Sequence, residues 1–73
     1  MQELDVRPIL REGGEPFDDI MAFVEKLPLG EGFRLLATFR PDPLLMVMAK
    51  KGFHGEAREL PDKSWAVDFT RQD

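Results

Sequence analysis

The chain switches between two hydrophobic periods, and each switch marks a new element. Glu3 to Val6 reads as a short strand, with Leu4 and Val6 on one face and Asp5 and Arg7 on the other. Pro8 cannot donate to a sheet ladder, so regular pairing is expected to fail near it. Arg11 to Glu15 is a polar, glycine-containing loop. A helix then starts near Pro16, which suits the first helical position because its missing N–H would be unpaired there anyway. Phe17, Ile20, Met21, Val24 and Leu27 follow the i, i+3, i+4 spacing of a buried stripe, and Pro28 and Gly30 stop it. Period two returns from Phe33 to Phe39. Phe33, Leu35, Ala37 and Phe39 share one face, and Arg34, Leu36 and Thr38 share the other.

Arg40-Pro41-Asp42-Pro43 predicts a second helix, with Asp42 as N-cap and Pro43 as its first residue. It runs to about Lys51, and Gly52 is placed to end it in a left-handed conformation. His54 to Leu60 and Ser64 to Thr70 read as an antiparallel hairpin turning at Pro61-Asp62-Lys63. Trp65, Val67 and Phe69 form its buried face, and Gly55 and Ala57 give the partner strand low relief. The order is β-α-β-α-β-β. Right-handed crossovers between strands that progress in one direction put both helices on the same side. The expected fold is α/β (α+β): a two-layer sandwich of a four-stranded mixed sheet with two helices on one face.

Seventy-three residues predict one domain spanning residues 1–73. Hydrophobic residues at 42% beside charged residues at 33% fit a folded globular protein. The longest apolar run, Leu44 to Ala49, is far short of the roughly 20 residues that cross a bilayer, and no secretory signal pattern opens the chain. No membrane partner is expected. With no cysteine, disulfides and thiolate metal sites are excluded, and the cytoplasm is the expected compartment. A net charge of −4 with scattered basic residues argues against nucleic acid as a partner.

Several segments together resemble a known family. Leu4-Asp5-Val6-Arg7 opens the chain, Gly13-Gly14-Glu15-Pro16 leads into the first helix, and Leu27-Pro28-Leu29-Gly30-Glu31 follows it. This order resembles the TusA/SirA-like sulfur carriers, and most closely their cysteine-free, functionally uncharacterised branch. The resemblance implies the same sandwich, with Asp5, Arg7, Pro16 and Gly30 as its scaffold signature. It places the carriers' reactive cysteine at Gly13 counted back from Pro16, or at Arg11 counted forward from Leu4. Persulfide carriage needs a thiol there, so sulfur transfer of that kind is not possible in this chain. The branch carries a histidine near the first helix start and an Asp-His-Asp-Pro-like lead into the second helix. Here only Asp42-Pro43 is kept, which weakens the transfer of a metal or haem role.

No nucleophile–base constellation is present: His54 is the sole histidine, and Ser64, the sole serine, reads as a turn residue. No catalytic residue, metal ligand set or cofactor is expected. Glu12, Glu15, Asp18 and Asp19 around the first helix start compensate its dipole and disfavour an anion there. The second helix is apolar for six consecutive residues, Leu44 to Ala49, which cover every side of a helix. Leu45, Met46 and Val47 therefore form a candidate interaction surface. The expected function is a non-catalytic accessory or protein-interaction domain, its partner protein unspecified. The alternative is a small-ligand or metal-binding domain using Arg11, Gly13, Gly14 and Glu15 with Arg40 and Asp42 of the facing loop.

Overall fold

A computed structural model describes residues 2–28 and 30–71; Leu29 of the Leu27–Glu31 motif lies outside the described residues. Its elements are β1 (Gln2–Asp5), α1 (Arg7–Arg11), α2 (Phe17–Glu25), β2 (Phe33–Ala37), α3 (Asp42–Lys50), β3 (Phe53–Glu59) and β4 (Trp65–Arg71). The strands form one four-stranded sheet in the order β1-β2-β4-β3. β1 pairs with β2 in parallel, while β4 is antiparallel to both β2 and β3. The three strands that lead into or out of the longer helices thus run in one direction, and the last strand slots between two of them. This is the expected mixed-sheet sandwich, with one addition. The segment after β1 closes into a short helix, α1, where a break followed by a loop was expected. Pro8 lies in its first turn, so the residue that stops the ladder also starts the helix.

Alternation fixes which side of the sheet is covered. Phe33, Leu35 and Ala37 of β2 meet Phe69, Val67 and Trp65 of β4 in register, and Ile20, Leu27, Leu44 and Met48 close over this face. Phe33 and Phe69 stack with ring centroids 5.1 Å apart, and Phe53 meets both rings edge-on. Phe23, outside the predicted stripe, also packs on Phe33 at 5.4 Å. Such pairs contribute about 0.5–1.5 kcal/mol beyond the area they bury.

The boundaries differ from expectation by a residue or two, each for a local reason. Pro16 is the N-cap of α2 and not its first residue. Pro41 is the N-cap of α3, and Asp42 makes no capping bond because its carboxylate pairs with Arg40 at 2.8 Å. Gly52 does adopt the left-handed conformation, at φ 91°. Phe39 is a larger departure. β2 stops at Ala37, whose partner Trp65 is the first residue of β4. Phe39 therefore leaves the sheet and is 52% exposed.

Two positions in the hairpin carry backbone consequences. Gly55 faces Phe69 across the ladder, and a Cβ built on it would lie 2.5 Å from Leu45 Cδ2 and 2.8 Å from Phe69 Cε1. The missing side chain is what lets α3 seat over β3. Lys63 occupies the left-handed position of a three-residue turn, at φ 71°, where its N–H donates to the Leu60 carbonyl. Gly55→Val should lower unfolding free energy by roughly 1–3 kcal/mol through overpacking. Lys63→Gly should raise it by about 0.5–1 kcal/mol, after allowing for the greater freedom of glycine in the unfolded chain. Urea denaturation checks both; an unchanged midpoint for Gly55→Val would contradict the seating of α3.

Candidate functional site

The parallel strands β1 and β2 end on the same edge of the sheet, and the chain leaves both towards its helical side. The first exit passes through Val6 and α1 to Glu15-Pro16; the second passes through Phe39 and Pro41 to α3. Between them lies an open groove of about 470 Å³. Val6, Leu35 and Ala37, all essentially buried, form its floor. Leu10, Phe17 and Ile20 line one side, and Phe39, Leu44 and Val47 line the other. Pro16, Pro41 and Pro43 complete it at the starts of the two helices. This is the edge at which open α/β sheets commonly bind ligands, beyond the carboxyl ends of parallel strands.

The polar loop residues singled out by sequence do not converge on this groove. Of Arg11, Gly13, Gly14, Glu15, Arg40 and Asp42, only Glu15 lines it. Glu15 Oε1 accepts the Phe17 N–H at 3.0 Å and so caps the first turn of α2. Arg40 and Asp42 neutralise each other. Arg11 lies in a separate shallow depression with Thr38, Asp62, Lys63 and Ser64. Among the described residues, no group of three or more histidines and carboxylates comes together to hold a metal ion.

Leu45, Met46 and Val47 are likewise divided. Leu45 is half-buried against the β3 seat at Gly55, Val47 lines the groove, and Met46 is 68% exposed. Of the groove lining, pattern reading places only Glu15 and Val47 in a candidate site and Pro16 in the scaffold signature; most of the other apolar residues read as core or strand faces, and Leu10 is not singled out. A floor built from the ends of two strands and a one-turn helix has no periodicity of its own. The clue available was Pro41, two residues after Phe39, which is hard to reconcile with a strand continuing to Phe39.

Asp5 and Arg7 perform a different task on the opposite face. The Asp5 carboxylate takes three hydrogen bonds from Arg7: its backbone N–H at 3.0 Å, Nε at 2.9 Å and Nη2 at 2.8 Å. Arg7 Nη1 then reaches the Ser64 hydroxyl at 3.4 Å and lies 3.7 Å from Asp62. Since β2 separates β1 from β4, this side chain ties the first strand to the closing hairpin across an intervening strand. Asp62 in turn accepts the Ser64 N–H and hydroxyl. Further along the same face, Asp68 is held by Arg34 at 2.7 Å and Arg58 at 3.1 Å. His54 is exposed there, 3.5 Å from Glu56, with no nucleophile among the contacts described for it.

These contacts lower the affinity of three carboxylates for protons. Hydrogen bonding from Arg7 holds Asp5 below the usual carboxylate range. Ser64 does the same for Asp62, and Arg34 for Asp68.

A mixed sheet with helices on one face and an open apolar groove at its parallel edge defines a small α/β sandwich. The chain matches the family described as an uncharacterized conserved protein, DUF2249, over residues 3–71, and belongs to that family. Comparison with curated proteins and with solved structures finds no match. No helix among the described residues is long and apolar enough to cross a membrane.

Asp5, Asp62 and Asp68 each titrate lower in the folded protein than in the unfolded chain. Their stabilisation is complete above about pH 4 and is lost as pH falls through the lowered values. Thermal melts should therefore be nearly constant from neutral pH to about pH 5 and decline modestly as pH falls below about 4, because the three groups are partly exposed. Asp68→Asn should soften that acid limb. An identical acid slope in the variant would contradict the role assigned to the Arg34–Asp68–Arg58 cluster.

Proposed function

We propose that this chain is a non-catalytic binding domain, and that its groove receives an apolar side chain of a partner protein. One observation carries the reading: an open apolar recess of about 470 Å³ with an exposed aromatic ring on each rim, Phe17 and Phe39. Apolar surface left in water is unfavourable by about 25 cal/mol per Å². A buried anchor surrounded by such a rim is the usual centre of an interface. The volume also falls within the ~300–1,000 Å³ typical of ligand sites.

The scaffold is that of the sulfur carriers, on the strength of the Leu4-Asp5-Val6-Arg7 start, the proline-started first helix and the order of elements. In that kinship the carrier's thiol position falls on Gly13 or Arg11, ahead of α2 and outside the groove lining, so the groove is a docking region separate from that cargo position. A polar-ligand or metal role has less support, because the loop residues that would supply it pair with one another or face elsewhere. The contact surface therefore centres on the groove and shares Val47 with the apolar run of α3.

Placing a photo-crosslinking phenylalanine analogue at Phe39 in native cells tests this. It should yield a small number of discrete heavier species, which Val47→Asp abolishes, while the same analogue at Thr70 on the open sheet face yields none. Crosslinks from Thr70 with silence at Phe39 would overturn the reading.

A further inference from the structure

We infer that the partner segment that enters the groove carries lysine or arginine beside its apolar anchor; this rests on the reading of the groove as a protein-docking site. Charge complementarity decides it. Glu15 is the one titratable residue lining the groove, and Asp18 and Asp19 follow in the first turn of α2. Glu12 stands just before them, after α1. Among the described residues, none of these four carboxylates takes part in an ion pair. The cation on the other rim, Arg40, is already matched by Asp42. The α2 dipole contributes only about +0.5 charge at this end, too little to cancel four carboxylates. Glu15 thus borders the apolar floor directly, Asp18 and Asp19 add unpaired negative charge on the exposed side of the same helix turn, and the net charge of −4 adds a field of the same sign.

This pattern discriminates between occupants. A second copy of the chain would bring the same acidic rim against this one, a like-charge juxtaposition that opposes a symmetric pair. Anionic lipid surfaces and nucleotides meet the same repulsion. A neutral apolar molecule would fill the floor and leave the rim without a function. A basic amphipathic segment satisfies both parts: its apolar side chain covers the floor while its cations meet Glu15 at the lining and the field of Asp18 and Asp19 beside it.

The test is a heteronuclear NMR titration of the full chain with three synthetic amphipathic helical peptides that share one leucine pattern. Their polar positions are lysine, glutamine or glutamate. The lysine peptide should shift the amides of Phe17, Ile20, Leu44 and Val47 and bind at least about tenfold more tightly than the glutamine peptide. That advantage should shrink as NaCl rises from about 20 to 300 mM. The variant Glu15→Gln with Asp18→Asn and Asp19→Asn, all at exposed positions, should lose the advantage while keeping its melting temperature to within a few degrees. If the glutamine peptide binds the groove equally well, the charge inference fails and the docking reading survives. Should every peptide shift only residues outside the groove, both fail. Concentration-dependent shifts of the groove amides in the protein alone would assign the site to a second copy and overturn the inference.

Discussion

Phe69 stands on β4, between β2 and β3, and touches what both neighbours present. On one side it stacks on Phe33; on the other it faces Gly55, the residue without a side chain. The ring lies where a larger residue at position 55 would need to be, and Leu45 of α3 comes down onto the same spot. This seat fixes α3 over the outer strand β3, while α2 packs on Phe33 through Phe23. The two longer helices start at the same edge of the sheet but are held apart. The groove lies between those starts, above Val6, Leu35 and Ala37, with the exposed rings of Phe17 and Phe39 on its rims.

Polar chemistry and apolar surface are separated in this molecule. The Asp5–Arg7 pair, expected from sequence as part of the scaffold signature, is engaged on the open face in fastening the first strand to the hairpin turn. Arg34, Arg58 and Asp68 do similar work on the neighbouring strands. Most of these groups are at least partly exposed, so each adds modestly to stability, but together they set the register of the face that no helix covers. Between the starts of α2 and α3 the groove lining keeps a single titratable residue, Glu15.

Most of the fold was legible in the sequence because local signals agreed with one another. The prolines at positions 16, 41 and 43, the alternation from Phe33, and Gly52 after α3 each named an element within a residue or two. Two features were hidden for physical reasons. α1 spans barely more than one turn, too short for a periodic stripe, and the proline in its first turn equally well reads as a strand stop. The groove is a tertiary object, made where Val6, Leu35 and Ala37 come together from separate strand ends, and no spacing along the chain announces it. Phe39 shows the difference. Its alternation with Ala37 assigned it to the buried face, whereas the end of the β4 ladder at Trp65 released it to the rim. The residues of the alternative ligand loop were legible as polar and glycine-containing, but the pairing of Arg40 with Asp42 and the placement of Arg11 in a separate depression depend on the folded geometry.

The proposed binding role depends on an accessible apolar groove between the starts of α2 and α3. Methyl-resolved NMR with benzene as a neutral probe tests it most directly. The methyl groups of Val6, Ile20, Leu44 and Val47 should shift saturably, while those of Leu60 and the exposed Thr70 stay in place. Shifts spread evenly over all methyl groups, or confined to Met46, would contradict the account.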